Sequence, residues 1–233
     1  MDHTPDAGML SARQLKKEIA VRFLAALPIV GMLLFVPAGT LNYWEAWVYC
    51  GILFIPMLAV LRYFLKHDPA VLERRMRMRE KEAPQRRIIA GGTILFFAGI
   101  LIPGLDHRFG WSLVPLPVVL AADAVVFLGY LLFFLVLREN SYASRVVEVE
   151  QGQKVISTGP YAVVRHPMYL AITLMFLATP VALGSFWALI PFLLIPAVLI
   201  FRILNEERVL LRDLPGYVEY CRKVRYRMIP RVW

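Results

Sequence analysis

Arg165 and His166 stand directly ahead of a long apolar run that opens at Met168, and Gly159-Pro160-Tyr161 lies just upstream, with six residues from Pro160 to His166. Pro167 suits the first turn of a helix, where its missing N–H costs nothing. A helix that starts there turns unpaired N–H groups and a partial positive charge toward the aqueous side. An anionic group, such as the carboxylate of a cofactor, binds well at such a lip, and His166 adds a donor. With Tyr169, the same cluster would also serve as an interfacial contact for lipid headgroups.

Arg202 and Glu206 are the second candidate pair. They are spaced i,i+4 and so share one helix face, with Glu207 one step round. Such a pair serves as a helix-end salt bridge, with Arg202 reaching back to the interface. It also serves chemistry, with Arg202 orienting a carboxylate substrate and Glu206 fixing Arg202 or the positive end of a cofactor. Asn140-Ser141-Tyr142-Ala143-Ser144-Arg145 is a polar cluster that reads as a helix end or as part of a pocket rim. Asp123 is a lone acid within an apolar run. Acids are costly there and signal function by default. Its distance from the other candidates favours a structural hydrogen bond instead.

Other chemistries have no sequence support. Cys50 and Cys221 form no CxxC, and the four histidines have no metal-ligand spacing. There is no GxGxxG, GxSxG or P-loop pattern, and no metal site is expected.

The elements that must position these residues are membrane helices. The chain is 59% hydrophobic over 233 residues. Its apolar runs approach the ~20 residues that cross a bilayer as helix, and they lack the alternation of barrel strands. An all-α integral membrane protein follows, with about six transmembrane helices near 21–39, 47–65, 88–103, 116–137, 167–183 and 186–204. Gln14 to Ala20 reads as an interfacial helix start, its flank too polar for a signal peptide. Asp68-Pro69 reads as a helix start and Pro84 as that helix's end. The last two spans make a short hairpin about Gly184-Ser185, which either kinks or thins the bilayer locally. So few residues outside the spans leave no room for a separate soluble domain, and 1–233 reads as one membrane domain.

The net charge of +9 does not indicate nucleic acid, because the basic residues sit in loops between spans. With the N-terminus inside, the outer loops 37–45, 103–115 and 184–185 hold one of the 26 Lys/Arg, Arg108. Tyr43, Trp44, Trp47, Trp111, Phe186 and Trp187 fall at that outer boundary, as an aromatic belt does. Both termini are therefore expected in the cytoplasm, on the side of all the candidate chemistry. The protein would sit in the inner membrane if bacterial. The basic run from Arg74 to Arg87 reads as a topology signal and a contact for anionic lipid.

The segment Gly159-Pro-Tyr-Ala-Val-Val-Arg-His-Pro-Met-Tyr169 closely resembles the signature of the isoprenylcysteine carboxyl methyltransferase family and its phospholipid-methylating relatives. Arg202-x-x-x-Glu206-Glu207, Tyr217-x-x-Tyr220 and Arg227-x-x-Pro230 continue the likeness, which covers roughly Asn140 to Pro230. Leu214-Pro215-Gly216 departs from the Phe-Gly-acidic pattern of relatives, with the turn expected to be kept. The resemblance implies an integral membrane enzyme using S-adenosylmethionine, with 138–233 as the methyltransferase region and 1–90 as a two-span extension. It implies that Arg202 and Glu206 are catalytic. It also implies a cofactor pocket of Gly159, Tyr161, Arg165, His166, Tyr169 and Glu207. The acceptor would be lipid-like, of isoprenylcysteine type and methylated at a carboxylate, with membrane lipids as the surroundings and no nucleic-acid partner. Three other readings stay open: an amine-methylating phospholipid enzyme, an NADPH-dependent membrane reductase such as the sterol reductases, which share part of the C-terminal pattern, and a non-enzymatic lipid-binding protein.

Overall fold

The computed structural model describes residues 11–76, 83–144 and 146–233, with 83 and 84 as backbone only. The described chain is all-α. Helix α1, Ala12–Ala38, opens with a capping box. Ser11 Oγ accepts from Gln14 N at 3.3 Å and Gln14 Oε1 accepts from Ser11 N at 3.0 Å, which satisfies two otherwise orphan donors. The interfacial start and the first span are thus one continuous helix. Helix α2 is Trp44–His67, and α3, Pro69–Met76, follows directly with Pro at its first position. Residues 77–82 of the basic run lie outside the described residues. Pro84 falls in the first turn of α4, Ala83–Phe109, so it begins a helix where an end was expected. Helix α5 is Leu116–Glu139, α6 Pro167–Ala182, α7 Leu189–Leu193, α8 Ile195–Asp213 and α9 Tyr217–Lys223.

Among the described residues, five helical stretches are long and apolar enough to cross a membrane: α1, α2, α4 from Gln85, α5, and α7 with α8 taken together as Leu189–Asp213. Helix α6 is the shorter sixth, 16 residues or ~24 Å at 1.5 Å per residue. The sequence's third span is longer than expected, because α4 continues through Pro103 to Phe109. Asp106 makes this continuation tolerable. Its buried carboxylate accepts from Ser112 N and Ser112 Oγ, both at 2.7 Å, and from Ser185 Oγ at 2.5 Å. Those bonds also tie the Gly184-Ser185 turn to the end of α4. Tyr43 adds a second tether, donating its hydroxyl to Leu183 O at 2.5 Å. The break between α7 and α8 falls at Leu194, two residues ahead of Pro196, which cannot donate to the helix ladder.

Helix pairs close on small residues, as expected where lipid gives no hydrophobic drive to association. A Cβ on Gly129 of α5 would lie 2.6 Å from Met175 Cγ and 3.1 Å from Ala171 O of α6. A Cβ on Gly104 of α4 would lie 2.6 Å from Leu34 O of α1. One apolar core joins α1, α2 and α4 to the C-terminal helices, with Leu34, Ala46, Ala182, Phe192 and Ile203 fully or almost fully buried. The N-terminal helices are therefore packed onto the region that holds the site.

Candidate functional site

Two connected polar clusters form where the N-terminus of α6 meets the far half of α8. His166 occupies the N-cap of α6 with φ −125° and ψ 59°, and its side chain makes no capping bond. Its carbonyl instead takes Tyr169 N at 3.1 Å and Leu170 N at 3.3 Å. The imidazole is free to turn to α8, where Nε2 lies 3.2 Å from Glu207 Oε1. The C-terminal tail holds this corner: Arg165 N donates to Tyr226 O at 2.9 Å and His166 N to Arg227 O at 2.7 Å.

Glu207 is the hub of the first cluster. It accepts from Arg165 Nε at 2.8 Å on Oε1 and from Arg227 Nε at 2.8 Å on Oε2, besides the His166 contact. Glu207 is only 5% exposed and His166 4%. A carboxylate so buried persists because several donors surround it. Arg227 also stacks over Trp233, 5.3 Å from the ring centroid.

The second cluster joins Arg202 to Glu206 through a tyrosine. Arg202 Nε donates to Tyr169 Oη at 2.9 Å, and Tyr169 donates to Glu206 Oε2 at 2.5 Å. The i,i+4 pair is brought together as expected, with the Tyr169 hydroxyl as the link. Gln85 of α4 backs the same arginine: its Oε1 accepts from Arg202 Nη1 at 3.2 Å and its Nε2 donates to Arg202 O at 3.1 Å.

Tyr161 closes the other side. Asn140 Nδ2 donates to its hydroxyl at 3.0 Å, and Tyr220 donates to its carbonyl at 2.7 Å. Burial pushes both phenols well above their ordinary range, so they act as neutral hydroxyls. The turn before Tyr161 depends on Gly159, whose φ is +55° and whose Cβ would meet Glu139 Cδ at 2.9 Å.

These groups surround a cavity of about 610 Å³. Tyr161, Arg165, His166, Tyr169, Arg202 and Glu206 all line it, whereas Gly159 and Glu207 are not among its walls. Gly159 shapes the turn beside it, and Glu207 stands behind Arg165 and His166. The wall then continues along α4 and α8 through Ile89, Gly92, Phe96, Val198 and Leu199. One end therefore offers cations, a carboxylate and hydroxyls, which suit a zwitterionic, hydroxyl-bearing molecule. The other is hydrocarbon apart from Thr93, which suits an apolar chain.

Several features were invisible or misread in the sequence. Gln85 carried no motif, and its burial at 0% exposure follows from how α4 docks on α8. The basic run is partly built into the fold. Arg74 pairs with Glu150 Oε2 at 3.0 Å, and Arg75 lines the cavity while lying over the Phe133 ring at 5.2 Å. Of the polar cluster after α5, Asn140, Tyr142 and Ser144 line the cavity, while Arg145 lies outside the described residues. Asp123 does not make the structural hydrogen bond expected of it. It is 4% exposed, and neither carboxylate oxygen has a partner among the described residues. The nearby hydroxyls of Tyr49 on α2 and Thr179 on α6 bond each other at 2.9 Å, so the helix packing buries Asp123 without supplying it a donor. The Leu214-Pro215-Gly216 turn is kept, with Gly216 at φ +84°. Among the described residues no group of His, Cys, Asp and Glu is arranged to hold a metal ion.

Residues 117–214 match the model of the family described as phospholipid methyltransferase. This stretch runs from the second residue of α5 to just past α8 and includes Tyr161, Arg165, His166, Tyr169, Arg202, Glu206 and Glu207. Over this stretch, less than half of the chain, the sequence is similar to the phospholipid methyltransferase family, the family of the isoprenylcysteine carboxyl methyltransferase-like membrane methyltransferases.

Proposed function

We propose that this protein is an S-adenosylmethionine-dependent methyltransferase that esterifies a carboxylate on an amphipathic, lipid-like acceptor of isoprenylcysteine type. The observation that carries the reading is the single cavity, in which the Arg202–Tyr169–Glu206 chain opens onto an apolar wall between α4 and α8. The donor set fits the cofactor: Arg165 and His166 suit its carboxylate, and Glu206 suits its cationic end. When bound, S-adenosylmethionine supplies a methyl carbon on a sulfonium, which leaves its bonding pair on sulfur as a new C–O bond forms.

The side chains position and do not need to deprotonate. A carboxylate acceptor is ionised at neutral pH, its pKa being ~4. It needs orientation within ~3–3.5 Å of the methyl carbon, and Arg202 supplies a planar, always charged donor for this. Tyr169 and Gln85 fix the guanidinium from two directions. Charges held in place before the reaction cost no reorganisation during it.

An amine acceptor, as the family's description would suggest, is the second reading. An amine must lose a proton, and His166, the imidazole in the cavity wall, turns Nε2 toward Glu207. The carboxylate reading therefore stands ahead. The test is incubation of the detergent-purified protein with methyl-labelled S-adenosylmethionine and lipid extracts. Alkali releases labelled methanol from a methyl ester, whereas label on nitrogen survives it. Alkali-stable label would overturn the carboxylate reading, and absence of both transfer and cofactor binding would overturn methyl transfer itself.

A further inference from the structure

We infer that Gln85 is a positioning residue for the transfer step, acting through Arg202, so that α4 contributes to the site from outside the stretch that matches the family. The inference rests on the methyltransferase reading. Gln85 has 0% exposure and is locked to Arg202 at both ends of its amide. Its Oε1 accepts from Arg202 Nη1 at 3.2 Å, and its Nε2 donates to Arg202 O at 3.1 Å. The two bonds together fix the amide orientation, because a flipped amide would face donor to donor and acceptor to acceptor.

This geometry does more than fill space. The carbonyl of Arg202 lies inside α8, where its second lone pair can accept a donor besides the helix ladder's own N–H. The guanidinium is held at Nε by Tyr169 and at Nη1 by Gln85. Two anchors from different helices restrict a long side chain that otherwise has many rotamers. The fork is thus oriented before an acceptor arrives, which is the condition for positioning to lower a barrier. Gln85 itself touches neither reactant in this arrangement and acts only through the arginine. Nor is it mere filler between α4 and α8: Gly92, two turns further along α4, already brings the helices close, since a Cβ there would lie 3.2 Å from Val198 Cγ1.

The experiment compares the full-length protein with Gln85→Met and Gln85→Glu. Methionine keeps the volume and loses both hydrogen bonds. Glutamate keeps the acceptor for Nη1 and loses the donor to Arg202 O. A positioning role predicts a kcat loss on the order of ten- to a hundred-fold in Gln85→Met, with S-adenosylmethionine affinity and melting temperature close to those of the unaltered protein. It predicts that Gln85→Glu recovers most of kcat while raising the KM of a carboxylate acceptor, because the new charge competes for Arg202. A native kcat in Gln85→Met would overturn the inference. So would equal kcat losses in both variants, which mark a purely structural bond to the backbone, or a loss that tracks melting temperature. If the unaltered protein transfers no label, the methyl-transfer reading fails first and this role fails with it. A native rate in Gln85→Met alongside an active parent removes only Gln85.

Discussion

The Tyr169 hydroxyl lies 2.5 Å from Glu206 Oε2 and donates to it, while the same oxygen accepts Arg202 Nε at 2.9 Å. A cation on α8 and an anion one turn further along the same helix are thus joined through a phenol on α6. The phenol passes on polarisation and fixes distance, but it keeps the two charges from collapsing onto each other. Each keeps a face toward the cavity that both line.

Removing that hydroxyl should therefore misplace both charges at once. Tyr169→Phe retains the ring and its packing and should lower turnover by roughly ten- to a hundred-fold, the range for lost hydrogen bonds to charged groups. Steady-state methyl transfer to the identified acceptor, with melting temperature as control, checks this. Unchanged turnover would show that the Arg202 and Glu206 positions do not depend on the link.

Arg202→Lys tests geometry separately from charge. Lysine keeps the cation but has no planar fork to meet a carboxylate in two bonds. Turnover should fall strongly while S-adenosylmethionine affinity, measured by calorimetry in detergent, changes little. Glu206→Gln should also slow turnover, because the amide is a weaker acceptor for Tyr169. If both variants methylate the acceptor at the native rate, the pair is a structural helix-end contact and amine methylation moves ahead.

Much of this site was legible because its residues fall in two short segments. Gly159 to Tyr169 leads into the first turn of α6, and Arg202 to Glu207 spans little more than one turn inside α8, so local spacing places their members together. Gln85 and Arg75 were not legible, since nothing local says that α4 and the basic run border the cavity. The hairpin turn was read correctly from Gly184-Ser185, but its anchoring was missed, because the Asp106 carboxylate meets Ser185 from a distant part of the chain. Glu207 was expected in the cofactor pocket from the family resemblance, beside Glu206 in sequence. A one-residue step turns a helical side chain by ~100°, and here that step carries it behind the wall.

Glu207 should consequently matter most for folding of the corner. Glu207→Ala leaves Arg165, with only 8% of its side chain exposed, without its carboxylate. Breaking one side of a buried pair costs about 3–5 kcal/mol. The variant should melt well below the parent in detergent, and restored S-adenosylmethionine affinity at low temperature would separate folding from binding. His166→Ala, by contrast, should weaken cofactor binding in a protein that still folds. An unchanged affinity would remove His166 from the cofactor site.

The arrangement of the chain across the bilayer can be tested without any activity. The near absence of Lys and Arg from the loops at 37–45, 103–115 and 184–185 puts those loops outside under the positive-inside rule. On that proposal the site would face the cytoplasm, and an apolar acceptor would approach through the membrane. Leu113, 92% exposed, follows α4 on the expected outer side, and Gln151 is exposed in the loop between α5 and α6 on the expected inner side. In a background with Cys50 and Cys221 replaced by serine, Leu113→Cys should react with an impermeant maleimide in intact cells. Gln151→Cys should react only after the membrane is opened. Labelling of both from the same side would break the six-helix arrangement with both termini inside, and with it the cytoplasmic placement of Arg202 and Glu206.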